Sequence, residues 1–275
     1  MIEKYIAEAL VGKSDSTIRS YKYALERFEK YLSGSDGAMD NLTQFDVQSY
    51  ISWMQTVKKC QAASINREYA AIASFCEWSN QQKALIGVRL PKQVHPSRTA
   101  PKSLERNDRN NVFRAVQRDG NLRDIAIVYT LYFCGLRLDE LLSLDRADVD
   151  LSDRKGELIV RSGKGDKQRT VPIDAKARAF LKEYLDSRND DCEALFVATK
   201  GTVRRLGERW VQKTLKKYDI HPHLLRHTFA RDLVDSGTDI VTVADLLGHS
   251  DLGTTMRYTR PSMEDKMKAV SGLGL

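Results

Sequence analysis

The chain has 275 residues, 41% of them hydrophobic, with 44 Lys+Arg against 37 Asp+Glu. That is long enough for one large or two modest domains and apolar enough to bury real cores, which excludes a low-complexity or disordered chain. No apolar run approaches the roughly 20 residues of a membrane span. The N-terminus, MIEKYIAEALVGKSDST, has acids inside its apolar stretch and no small-residue cleavage site, so a soluble cytoplasmic protein without membrane contact is expected. Cys60, Cys76, Cys134 and Cys192 show no CxxC pairing and read as reduced thiols. Residues 1–88 hold 10 basic and 10 acidic side chains, so the net charge of +7 belongs to the remainder and points to an anionic partner.

In chain order, residues 1–86 read as a helical bundle. STIRSYKYALERFEKYL places Ile18, Tyr21, Leu25, Phe28 and Leu32 three and four apart, with Ser16 or Thr17 as cap. TQFDVQSYISWMQTVKK follows with Val47, Tyr50, Ile51 and Met54, entered by a Thr43/Asp46 pair resembling a capping box. SINREYAAIASFCEWSN adds Ile65, Tyr69, Ile72, Phe75 and Cys76. Residues 88–103 hold Pro91, Pro96 and Pro101, the basic Arg89, Lys92, Arg98 and Lys102, and no acid. The prolines forbid regular helix, and the segment reads as a basic linker suited to lie along something negative.

Helical patterns resume with SLERNDRNNVFRAVQR and the mostly apolar, buried LRDIAIVYTLYFCGL, and DELLSLDRADVD adds a short helix. GELIVRSGKGDKQRTVPI carries two β-type runs around GKGD and reads as a hairpin. DAKARAFLKEYLDS is helical, ALFVA a short strand, RLGERWVQKTLKKY helical again. From His223 the chain reads as helix, Gly237, helix, Gly248, short helix and tail. The fold class expected is mainly α with a small β-sheet in the second half.

Several residues invite chemistry, each beside a plainer reading. In HPHLLRHTFARDL, Pro222 suits a first helical position. His223 and Arg226, three apart, share the first turn, where free N–H groups, a guanidinium and an imidazole make an anion cradle. Leu225, Phe229 and Leu233 form the apolar stripe, and His221 and His227 read as structural histidines supporting the turn. A zinc helix needs Glu where Leu224 stands, and Arg226 opposes a cation, so no metal is expected. Arg137 follows an apolar helix and faces either a cleft or a structural ion pair with Glu140. Lys164 in GKGDKQR is a flexible proton donor or a solvated tip, with Lys167 as its rival. His249 follows a helix-ending glycine, and Tyr258 is a nucleophile or a packing residue.

Taken together in this order, GLRLDEL, GKGDKQRTVP, HLLRHTFA, LLGHS and the final Tyr of DLGTTMRY resemble the tyrosine site-specific recombinases of the phage-integrase family, most closely their Xer-like branch. The resemblance covers nearly the whole chain. It implies a helical, SAM-like core-binding domain over 1–87, the linker over 88–103 and a catalytic domain with a docking tail over 104–275. It implies that Tyr258 attacks a DNA phosphate to give a 3′-phosphotyrosyl enzyme, with Arg137 and Arg226 gripping the phosphate oxygens. Lys164 is then the general acid, His223 assists proton transfer at the tyrosine, His249 hydrogen-bonds the phosphate and Glu140 supports the site from behind. No cofactor, metal or ATP is called for.

The partners implied are double-stranded DNA with an inverted-repeat site and a homo-tetramer, or a hetero-tetramer with a related recombinase, working through a Holliday junction at the nucleoid. Met263, Met267 and Val270 form one stripe of the tail, which docks on a neighbouring protomer or on its own domain. Resolution of chromosome, plasmid or transposon multimers is favoured. The other readings are a mobile-element integrase, a topoisomerase-like relaxing enzyme and a non-catalytic DNA-binding regulator. Arg89, Lys92, Arg98 and Lys102 are the candidate DNA contacts.

Overall fold

The computed structural model describes residues 1–92, 101–152, 155–161, 168–249, 251–259, 266–267 and 270–271. The chain divides into two units, Met1–Val94 and His95–Leu275. Pro96, Arg98, the hairpin-tip residues Lys164 and Lys167, and Met263 lie outside the described residues.

The first unit is built from α1 (Ile2–Ala9), α2 (Asp15–Leu32), α3 (Gln44–Thr56), α4 (Ala62–Trp78) and a 3-10 turn over Gln82–Leu85. The apolar spacing of α2 to α4 turns Leu25, Phe28, Leu32, Val47, Tyr50, Ile51, Met54, Ile65, Ile72, Phe75 and Cys76 inward, and all are buried. Ile18, Tyr21 and Tyr69 pack at the rim of that core. The capping box at α3 is present, with Thr43 Oγ1 accepting from the Asp46 amide and Asp46 accepting from the Thr43 amide. The start of α2 departs from expectation: its cap is Ser14, whose hydroxyl accepts from the Thr17 amide at 3.3 Å. Ser16 and Thr17 are already helical, and of the closely spaced hydroxyls only Ser14 has the extended backbone a cap requires. Helix α1, not anticipated, adds Ile2 and Tyr5 to the core.

The second unit contains α5 (Arg106–Asp119), α6 (Leu122–Phe133), α7 (Leu138–Ser143), β1 (Val149–Leu151), β2 (Gly156–Val160), β3 (Arg169–Pro172), α8 (Ala175–Asp186), β4 (Val197–Ala198), β5 (Arg204–Arg205), α9 (Glu208–Lys216), α10 (Pro222–Asp235), α11 (Ile240–Leu247) and α12 (Leu252–Thr255). A 3-10 turn over Met256–Thr259 follows α12 directly. Helix α6 is the centre: every residue from Asp124 to Tyr132 is buried, and it packs on α5, α8 and α10. The strands form an antiparallel sheet in the order β1-β2-β3, with Val160 opposite Arg169 at the mouth of the expected hairpin. β1 and β5 were not anticipated, being too short to show alternation; β5 consists of two arginines paired with β4. The four cysteines are free thiols. Among the described residues no helix is long and apolar enough to cross a membrane.

Candidate active site

Helix α6 ends at Phe133, and Gly135, at φ 59°, turns the chain into α7. A Cβ on Gly135 would stand 2.4 Å from Cδ1 of Phe229, so glycine is what lets α10 approach this turn. The carbonyl of Gly135 accepts from Arg226 Nη1 at 2.6 Å, and the carbonyl of Leu247, the last residue of α11, accepts from Nη2 at 2.6 Å. Arg226 is thus buried and fixed by backbone from two distant segments. Pro222 occupies the first turn of α10 as expected.

Glu140 sits at the middle of the cluster, 1% exposed. Its carboxylate accepts from the Arg137 amide and from Arg137 Nη1, both at 2.8 Å. It also accepts a two-pronged bond from Arg169, at 2.9 and 2.8 Å, and lies 3.6 Å from Arg226 Nη1. Burial pushes this carboxyl up, but the Arg169 bonds, the Arg137 amide and the charges of Arg169 and Arg226 more than offset it and hold it at about 2. Of the three guanidiniums, those of Arg169 and Arg226 are enclosed, while the Arg137 side chain stays 30% exposed. Arg137 is thus ion-paired to Glu140 and still partly exposed.

Arg169 was missed in the sequence. It opens β3 on the same face as buried Val171, and its Nε donates to the Leu246 carbonyl at 3.0 Å. The signal was the strand alternation, which points Arg169 inward, obscured by the run of charges in GKGDKQR. Its guanidinium joins β3, the start of α7 and the end of α11. Gly248, at φ 64°, comes so close to it that a Cβ there would meet Nη1 at 2.8 Å.

Tyr258, in the closing 3-10 turn, is 4% exposed. Its hydroxyl is 2.6 Å from His227 Nδ1. Burial raises the phenol, and the charges of Arg226, Arg257 and Arg137 act against that rise. His227, read from the sequence as a structural histidine, lies one turn after His223 on the same side of α10, and it is the histidine hydrogen-bonded to Tyr258. The rings of His223 and His227 lie 6.3 Å apart and nearly parallel. His223 is shifted down by burial and by Arg226, and His227 is pushed to about 4 by burial and by its cationic neighbours. His249 Nδ1 pairs with Thr255 Oγ1 at 2.8 Å, and burial with the nearby Arg226, Arg137 and Arg169 brings it to about 4. His221 is the cap of α10, its Nδ1 accepting from the Leu224 amide at 3.1 Å. The HxHxxxH trio thus divides into a helix cap, a ring beside Arg226 and the hydrogen-bond partner of Tyr258.

The second unit therefore brings Arg137, Glu140, His223, Arg226, His249 and Tyr258 into one cluster. Lys164 lies outside the described residues, between β2 and β3, whose far strand begins with Arg169. Arg89, Lys92 and Lys102 are exposed, and Arg98 lies outside the described residues. Such a site could hold a monoanion among fixed positive charges, with a buried phenol beside it. That is suited to in-line displacement at a phosphodiester.

The model of the phage integrase family matches residues 102–265, and that of the phage integrase N-terminal SAM-like domain matches residues 5–84. TnP I resolvase of Bacillus thuringiensis is 32% identical over 273 residues, 94% of each chain. Tyrosine recombinase XerA of Pyrococcus furiosus is 34% identical over 275 residues, 97% of this chain and 91% of its own. Among solved structures, that of XerA recombinase matches all of this chain and 98% of its own at a TM-score of 0.55 and 26% identity. XerH site-specific recombinase, in a post-cleavage complex with palindromic difH substrate, matches 98% of this chain and 83% of its own at a TM-score of 0.73 and 20% identity.

Proposed function

Because this chain belongs to the phage integrase family, we propose that it is a site-specific tyrosine recombinase that cuts and rejoins DNA through Tyr258. The observation that carries this reading is the cluster itself. A buried tyrosine lies under the charges of Arg226 and Arg137, and those arginines are organised on one carboxylate, Glu140. Arg137 and Arg226 bind the non-bridging oxygens of the scissile phosphate and stabilise the charge that builds as the bond changes hands. His249 adds a hydrogen bond on the same phosphate. Lys164 gives its proton to the leaving 5′-oxygen. One phosphorus–oxygen bond forms to Tyr258 as one breaks, so the linkage is conserved and a second strand's 5′-hydroxyl reverses the step without ATP.

The catalytic domain occupies residues 104–275 and a core-binding domain residues 1–87, joined by the basic segment. The partner is duplex DNA with an inverted-repeat site, and exchange runs through a Holliday junction in a homo-tetramer or a hetero-tetramer with a related recombinase. Met267 and Val270, both exposed, fit a tail that docks on a neighbouring protomer. The relatives named as a resolvase and as XerA recombinases favour resolution of multimers as the task.

The test is a nicked duplex bearing the target site, in which cleavage releases a short strand and traps the enzyme on the 3′-phosphate. Wild-type protein gives an SDS-resistant complex and Tyr258→Phe gives none. A Tyr258→Phe protein that still forms the complex overturns the nucleophile.

A further inference from the structure

Attack by Tyr258 requires its phenolic proton to go somewhere, and among the described residues the atom hydrogen-bonded to that hydroxyl is Nδ1 of His227. His227 Nδ1 is 2.6 Å from the hydroxyl, within the range of a strong hydrogen bond, and the two rings lie 5.7 Å apart. A phenol is a better donor than an imidazole, so Tyr258 donates and Nδ1 accepts, which places the ring proton on Nε2. The ring is fixed from both sides: α10 carries it one turn after His223, and the 3-10 turn Met256–Thr259 brings the tyrosine down onto it.

Resting on the recombinase reading, we infer that His227 is the group that accepts the Tyr258 proton during cleavage and returns it during rejoining. The assignment is separate from His223, to which the family resemblance gives that task. In the forward step the proton moves from Oη to Nδ1 as the Oη–phosphorus bond forms, and the bond to the 5′-oxygen breaks with its proton supplied by Lys164. In the reverse step the 5′-hydroxyl attacks and gives its proton back to Lys164, while imidazolium His227 protonates the departing phenolate.

The charges around His227 fit such a role. Burial, and then His223 and Arg226 on α10, Arg257 on the closing turn and His221 at the cap of α10, disfavour the imidazolium, so in the free protein the ring is neutral and its lone pair is available. A bound phosphodiester adds negative charge to this cationic cluster, which favours the imidazolium at the stage when a proton must be taken up.

Two reactions on the same proteins test the inference. His227→Ala and His227→Gln should slow single-turnover cleavage of the nicked duplex by roughly a hundredfold or more, with DNA affinity held within a few-fold and partial rescue of His227→Ala by added imidazole. The second reaction uses Tyr258→Phe protein and a nicked duplex whose 3′-phosphate is esterified with 4-nitrophenol, so that an incoming 5′-hydroxyl displaces nitrophenolate. That leaving group needs no proton, so adding His227→Ala to Tyr258→Phe should change joining by no more than a few-fold. Joining that falls in parallel with cleavage would make His227 a support of the fold and overturn the assignment. So would cleavage that His227→Ala leaves at the wild-type rate. If wild-type protein forms no covalent complex at all, the recombinase reading fails first, and this assignment with it.

Discussion

Two oxygens of Glu140 are shared among Arg137, Arg169 and Arg226, so this buried carboxylate balances part of the charge of three guanidiniums. Replacing it with an isosteric amide keeps the shape and removes the balance. Glu140→Gln should destabilise the second unit by about 3–5 kcal/mol, the scale for breaking a buried ion cluster at one partner. Urea unfolding measures the loss, and the trapping reaction should show cleavage reduced further than DNA binding. Arg137 and Glu140 were legible because three residues apart at a helix start is a spacing the eye can test. Arg169 was not, because its partner lies 29 positions away and only the pleat of β3 turns it inward. His227 was visible as a residue, but its hydrogen bond to Tyr258, 31 positions on, is one that no local pattern connects.

At the level of elements, the long amphipathic helices were readable because burial repeats every three or four residues, and α2 to α4, α6, α8 and α10 lie where their apolar stripes place them. Of the short pieces ALFVA announced β4, whereas β1 and β5 carry three and two residues, too few to show an alternation, and exist through pairing with partners. The turn between α6 and α7 is the element that matters most to the site, since it presents the Gly135 carbonyl to Arg226. Gly135→Ala combines a left-handed backbone with a methyl group inside the Phe229 ring, and should cost about 2–4 kcal/mol. The same change displaces α10 from the turn, so DNA cleavage should drop well beyond the loss of folded protein. Comparing specific activity per folded molecule, by circular dichroism and the trapping reaction, separates the two effects.

Across the whole molecule, the uneven charge was plain from the sequence, with a neutral first third and an excess of positive charge after it. What composition hides is how much of that positive charge lies under cover in the second unit. Two of its histidines take protons only near pH 4 when folded, against about 6.5 when unfolded. Between those values the unfolded chain binds more protons, so stability falls as pH drops from about 6.5 toward 4, by at most about 1.4 kcal/mol per pH unit for each histidine. Glu140 adds a second loss below about 4.5, as pH falls toward its folded value of about 2. Urea midpoints at pH 7 and pH 5 should differ, and His249→Gln should narrow that difference. The burial of Tyr258 has a consequence of its own. On the proposed function, a copy away from DNA keeps the Tyr258 phenol, 4% exposed, back from water and from small phosphate esters, so its chemistry would wait for a polymer large enough to engage the surrounding arginines. Fidelity in such an enzyme begins with concealment, before any sequence is read.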